Sequence, residues 1–388
     1  MDFLERPKLD KTTVQIYQEC IAGYVGNPHM EGSVEAAKKK KTMLEKFCKA
    51  VKESAELYDR SVPDLAFQEP EIPPEVASEE CRKRLQKVYE EKFAPINAPG
   101  RSYYDKIRRS KECGKCPICG GSCGITHLDH YLPKSSYPTL CVHPNNLIPI
   151  CDSCNTIKGA RESQEEIGLP IHLYFDRLPQ KKHLSGKELY TEPYLFADLD
   201  DDFRPTFRIT CPAEWDPKWE KRLASLMKMY DLDSRYRACV FAEYATILSA
   251  WERQVDLSVM RRAEKENKKP EELYAALTER ERKRLRIRAL ETVIQGNLAS
   301  CGDLNSWKYA LYRALEYGEQ ELAAWLDENE EHVRTVAKRC EVEFEKQAEK
   351  AAKILEDEEA ARKTAEDAYV APPGAEDSED NKKLVEKS

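Results

Sequence analysis

Two Cys-x-x-Cys pairs, Cys116/Cys119 and Cys151/Cys154, bracket an Asp129-His130 dipeptide and an asparagine at position 146, and a further asparagine, Asn155, directly follows the second pair. Thiolates at that spacing can close a tetrahedral zinc site, which ties a small loop-rich unit together but leaves no open position for water or substrate. The aspartate, histidine and asparagines offer different chemistry. Hard oxygen donors suit a divalent ion such as Mg²⁺, with Mn²⁺ as a substitute. Histidine titrates near neutrality and can take a proton from water. A divalent ion and an activated water held on one scaffold point to cleavage of a phosphodiester bond.

The zinc assignment contains one ambiguity, because Cys113-Gly-Lys-Cys116 overlaps Cys116-Pro-Ile-Cys119. Cys-Pro-Ile-Cys-Gly is the better knuckle, since its glycine permits the tight turn around a metal. The expected structural zinc ligands are therefore Cys116, Cys119, Cys151 and Cys154, with Cys113, Cys123 and Cys141 as spares. His127 and His143 are further possible ligands, read in preference as surface or hairpin side chains.

The stretches LDHYLPKS, NLIPIC and CDSCNTIKG, in that order, resemble the HNH (ββα-metal) endonuclease family in its cysteine-flanked form. The resemblance covers roughly residues 101 to 175. It implies two short strands and one helix starting around Asp152, with His130 as general base and Asp129 and Asn155 as ligands of a catalytic Mg²⁺ or Mn²⁺. It also implies that Asn146 spans the hairpin loop and orients the histidine. Asn155 stands where the family also uses histidine. Blander readings compete at each position: a zinc or core histidine at 130, a turn or capping aspartate at 129, and a plain helix N-cap at Asn155. Lys134 and Lys158 are read either as phosphate contacts or as ordinary solvated lysines.

YDKIRRS before the first knuckle, DHYLPKSSYP and the downstream HLYFD extend the likeness to nuclease subunits of Septu-type phage-defence systems. That resemblance implies a separate ATPase protein as partner, with the helical flanks as its docking surface. The chain has no Walker-type glycine loop of its own.

The elements that must position these residues follow from composition and periodicity. At 388 residues the chain is long enough for two or three domains, and its 14 cysteines are not the framework of a small secreted protein. It has no apolar run long enough to span a bilayer, and its charged N-terminus lacks a signal-peptide core, so a cytoplasmic location is expected. The net charge of -8 does not announce nucleic-acid binding. Charge distribution answers this, since Arg101, Lys106, Arg108, Arg109, Lys111 and Lys115 precede the motif and a second basic run spans Arg280 to Arg288. Each run is equally readable as a solvated helix face.

Residues 1–100 read as an N-terminal helical region. VEAAKKKKTMLEKFCKAVKESAELY forms one amphipathic stretch, a proline-bearing connector spans 62–74, and a helix covers ECRKRLQKVYEEKF. Residues 101–175 form the zinc-bound core, and 176–345 a β-containing extension followed by helices. Residues 346–388 read as a charged helix and a tail too poor in apolar residues to order. The aromatic positions Trp219, Tyr230, Tyr236, Tyr244 and Trp251 read as helix packing. The expected fold is α+β, a mainly helical chain carrying a small zinc-stabilised ββα-metal nuclease core.

Three functions remain open from sequence. The leading one is a metal-dependent DNA endonuclease in anti-phage defence. The others are a zinc-stabilised module that only binds nucleic acid or protein, and a toxin-like nuclease directed at RNA or host DNA.

Overall fold

The computed structural model describes residues 3–64, 78–110, 114–121, 124–159, 169–182 and 189–367. Within them are twelve α-helices and three two-stranded antiparallel sheets, a mainly helical architecture with small β elements. No described helix is long and apolar enough to cross a membrane. The connector beyond residue 64, Lys111, Cys113, Cys123 and the tail from 368 lie outside the described residues.

The N-terminal helices collect around one core. Helix α1 (Thr13–Ala22) opens on a capping box, in which the Thr12 hydroxyl accepts from the Gln15 amide and the Gln15 side chain accepts from the Thr12 amide. The amphipathic stretch expected as one helix is two, α2 (Ser33–Glu45) and α3 (Cys48–Ser61). The lysine run 38–41 leaves α2 with Leu44 as its buried residue, whereas α3 buries Ala50, Val51, Ala55 and Tyr58 on one face. The break lets both Leu44 and Phe47 enter the core, where each is fully buried. Helix α4 (Glu79–Lys92), capped by Ser78, adds Leu85, Val88 and Tyr89, and α5 (Arg101–Arg108) adds Tyr103, Tyr104 and Ile107.

Strands β1 (His127–His130) and β2 (Leu147–Ile150) pair antiparallel, with His127 opposite Ile150 and His130 opposite Leu147. Side chains alternate across a strand, so Leu128, His130, Leu147 and Pro149 share one face and Asp129, Ile148 and Ile150 the other. The two faces meet different cores. Leu128 and Leu147 join the N-terminal helices, while Ile148 and Ile150 join a larger cluster built with the C-terminal helices. The helix expected after the hairpin, α6 (Asp152–Lys158), starts at Asp152 and is followed by Gly159 at φ 52°, a conformation that favours glycine.

Strands β3 (Lys181–Lys182) and β4 (Leu189–Tyr190) form a minimal ribbon, and β5 (Leu195–Leu199) pairs with β6 (Pro205–Ile209). The acidic turn between the latter two is organised by Asp200, whose carboxylate accepts from the amides of Asp202 and Arg204. Helix α7 (Lys218–Met229) leads to α8 (Leu232–Glu266), which buries Tyr236, Val240, Tyr244, Ile247, Trp251 and Val255 at helical intervals. Around it pack α9 (Pro270–Ala276), α10 (Glu279–Ser300), α11 (Trp307–Leu315) and α12 (Glu319–Asp367). Helix α12 runs unbroken through 345–346, so the boundary drawn there from composition does not coincide with an element end.

Candidate functional site

The sequence leaves the two cysteine pairs 32 residues or more apart, and the fold brings them together. The sulfur atoms of Cys116, Cys119, Cys151 and Cys154 all lie within 4.8 Å of one another. Cys116 and Cys154 are 3.7 Å apart and Cys119 and Cys151 3.9 Å. A tetrahedron with Zn–S bonds of about 2.3 Å has edges of about 3.8 Å, so the four thiols fit a zinc ion. The first knuckle turns through Gly120 at φ 72°, and the Gly121 amide points at the Cys119 sulfur at 3.4 Å. The Arg235 guanidinium, from the first turns of α8, donates to the Cys154 sulfur at 3.1 Å. A cation there offsets part of the charge that four thiolates bring to zinc.

Of the spare ligands, Cys141 is buried away from this cluster, its thiol on the Leu85 carbonyl. Burial pushes that thiol up to about 12. His143, read as a surface or hairpin side chain, lies in the hairpin loop but not at the surface. It is buried, with Nδ1 on the Thr13 hydroxyl at 2.7 Å and Nε2 on the Asp59 carboxylate at 3.0 Å. His127 sits half-buried beside Thr126 and Asp152.

The loop joining β1 to β2 is pinned from several sides. Asn146, fully buried, accepts from the Leu132 amide at 2.8 Å and donates to the Leu132 carbonyl at 3.0 Å and the Leu140 carbonyl at 3.4 Å. One side chain thus ties both arms of the loop together. From outside, Thr139 donates to Ser54, Arg82 to the Ser136 carbonyl, and Asn145 to Asp59. These contacts fix the Cys141 carbonyl, which lies 2.9 Å from His130 Nε2. A carbonyl only accepts, so Nε2 carries the proton and Nδ1 presents a lone pair.

His130 faces the N-terminal core, 8% exposed, with the Tyr89 ring edge-on at 4.5 Å. Burial lowers its imidazole to about 3, outweighing the raising effect of the Cys141 carbonyl, and Lys134 and Lys158 lower it further. Its neighbour Asp129 points to the opposite face of the hairpin. Both Asp129 oxygens accept from the Lys158 ammonium, at 2.9 and 2.7 Å, and Oδ2 also accepts from the Tyr230 hydroxyl at 3.0 Å. Burial, reinforced by the charge of Asp129, holds the Tyr230 phenol well above its usual range, so it stays a donor. The Lys158 ammonium also donates to the His130 carbonyl.

Asp129 is therefore neither a turn nor a capping residue. Asn155 is half-buried in the body of α6, whose N-cap is Cys151, so it is not the capping residue either. Of the two lysines read as phosphate contacts or solvated side chains, Lys158 is buried on Asp129. Lys134 is partly exposed, paired with Glu90 at 2.6 Å and lying over the Tyr89 ring.

The basic runs are partly consumed by internal pairing. Arg101 and Arg108 turn inward onto Asp105, and Arg282 caps the Leu277 carbonyl. Arg286 reaches Asp327 and lies over Trp251. Arg109, Lys115, Arg280, Lys283, Arg284 and Arg288 remain exposed. A cleft of about 730 Å³ lies between α6, the first knuckle, α8 and α12, and neither Asp129 nor His130 lines it. Sequence reasoning missed Tyr230 and Arg235 as partners of the site. Tyr230 carried only a helix-packing signal, and its bond to Asp129 spans 101 residues.

Two known proteins resemble this chain. It is 31% identical over 157 residues to protein ea31 of Escherichia phage lambda, a match covering 40% of this chain and 50% of that protein. It is 46% identical over 39 residues to the Septu protein PtuB of Bacillus thuringiensis, covering 10% of this chain and 15% of that protein. The chain thus spans about half the length of the first relative and much less of the second. No family model and no solved structure matches.

Proposed function

We propose that this chain is an HNH-type endonuclease that hydrolyses DNA phosphodiester bonds, with His130 as the base and Asn146 as the residue that positions it. The observation that carries this reading is the fixed tautomer of His130. Its Nε2–H is held on the Cys141 carbonyl, in a loop that Asn146 ties shut, and the Nδ1 lone pair is left to accept a proton.

In the reaction, Nδ1 takes a proton from a water molecule while that oxygen bonds to phosphorus and the bond to the leaving sugar oxygen breaks. The leaving oxygen then takes a proton from solvent. A phosphate brought beside the ring raises the proton affinity that burial has lowered. The resemblance of the sequence motif implies Mg²⁺ or Mn²⁺ at Asp129 and Asn155, where it would stabilise charge on the phosphate. In the arrangement described, the Lys158 ammonium lies on both Asp129 oxygens, and a divalent ion does not fit there unless the lysine moves.

The 39-residue likeness to a Septu protein supports a role in anti-phage defence. A separate ATPase partner and a cytoplasmic setting are parts of the proposal that rest on the sequence reading alone. The longer match is to a phage protein, so similarity supports a shared module more strongly than it supports either side of the conflict.

A second reading has its own observation. Asp129 neutralised by Lys158 and His130 packed under Tyr89 also suit a zinc-stabilised module that binds nucleic acid or protein without cutting it. Incubating the zinc-loaded protein with supercoiled plasmid, single-stranded DNA and RNA, in Mg²⁺ or Mn²⁺, separates the two. Metal-dependent cleavage lost in His130→Ala supports the nuclease, and cleavage of RNA alone reassigns the substrate. Binding without cleavage, in the presence of whatever protein co-purifies, favours the module.

A further inference from the structure

Lys158 and Asp129 form a pair withdrawn from solvent, with side chains 2% and 6% exposed. A buried carboxylate demands a cation, and here a single ammonium reaches both of its oxygens. A divalent ion brought to the same oxygens would meet that ammonium at short range in a medium that screens poorly. The two cations therefore exclude one another.

We propose that Lys158 is the resident cation of the Asp129 seat, and that a divalent ion enters only by displacing its ammonium. The inference rests on reading Asp129 as a ligand of a divalent ion. Tyr230 holds Oδ2 independently of the lysine, so the carboxylate keeps its orientation when the ammonium leaves. Lys158 is the last residue of α6, with Gly159 behind it, so its side chain can leave without unwinding the helix that carries Cys154. The same ammonium holds the His130 carbonyl, so its departure also frees the backbone of the strand end that bears the base.

The test is Mn²⁺ binding to the full-length, zinc-loaded protein, read from the spectroscopic signal of free Mn²⁺. Wild type is compared with Lys158→Met and Lys158→Gln, each with and without Asp129→Asn. Both lysine variants are expected to bind Mn²⁺ roughly tenfold more tightly or better, the scale on which neighbouring groups tune metal sites. That gain should vanish when Asp129→Asn is added, with zinc content unchanged throughout. Lys158→Gln retains an N–H for the carboxylate and keeps the comparison readable if the methionine variant does not fold. Equal Mn²⁺ affinity in wild type and the folded variants overturns the inference while leaving the nuclease reading standing. Absence of Mn²⁺ binding in every form overturns both the inference and the assignment of Asp129 as a ligand.

Discussion

The two candidate metal sites sit on one hairpin-and-helix unit, yet they are built differently. The four cysteines converge with edge lengths a zinc tetrahedron needs, and the Arg235 guanidinium donates to one of them from α8. Asp129 and His130, adjacent in sequence, point to opposite faces of the hairpin, and each is held both within this unit, by Lys158 and by the Cys141 carbonyl, and from remote elements, by Tyr230 and by Tyr89. One site is closed by its own ligands. The other also depends on groups from the rest of the protein.

That difference predicts how each responds to change. The largest effect is expected at the cysteines. Cys151→Ala should lose zinc and unfold the hairpin unit, since structural zinc contributes on the order of 10 kcal/mol in small zinc modules. Metal analysis and thermal melting check this, and a stable variant with full zinc content would break the contrast from the cysteine side. His130→Ala should lower cleavage by roughly 10²- to 10⁴-fold, the scale of a lost general base, with zinc content unchanged. It should also cost about 1–3 kcal/mol of stability, because the Cys141 carbonyl loses its partner.

Smaller effects sharpen the same contrast. Asn146→Ala orphans buried backbone groups at Leu132 and Leu140, at about 1–3 kcal/mol for each group left without a partner. Denaturant melts should show that loss, and cleavage should fall with it as the Cys141 carbonyl drifts. Tyr230→Phe removes one hydrogen bond to a charged acceptor, at roughly 1.5–3 kcal/mol, and should leave zinc untouched. Arg235→Gln should do the reverse. Zinc release to a chelator should quicken while the surroundings of Asp129 hold. If Tyr230→Phe loosened zinc as much as Arg235→Gln does, the two sites would be one cooperative unit rather than two.

The sequence is informative to the extent that the constraint is local. Two Cys-x-x-Cys pairs carry their own geometry, and the two short strands with a helix beginning at Asp152 are implied by the resemblance of the motif rather than by periodicity. Apolar spacing located α4 and the helical run that holds α7 and α8, without the break between those two, and it also missed the break at Lys46–Phe47. The environment of the chemistry was not legible. Nothing near Lys158 in sequence distinguishes a solvated lysine from one buried on a carboxylate 29 residues away. Nor does anything near His143 foretell Thr13 and Asp59, which lie 130 and 84 residues from it. The inward turn of Arg101 and Arg108 onto Asp105 was local in sequence. It was still missed, because counting charges does not say which face of α5 the core takes.

The most direct test of the central claim is cleavage of supercoiled plasmid by wild type and His130→Ala, both verified to carry zinc and to be folded at the assay temperature, in Mg²⁺ and in Mn²⁺. The account predicts nicked or linear DNA from wild type and intact supercoils from the variant. Equal cleavage by the two proteins would remove His130 from the chemistry and contradict the account.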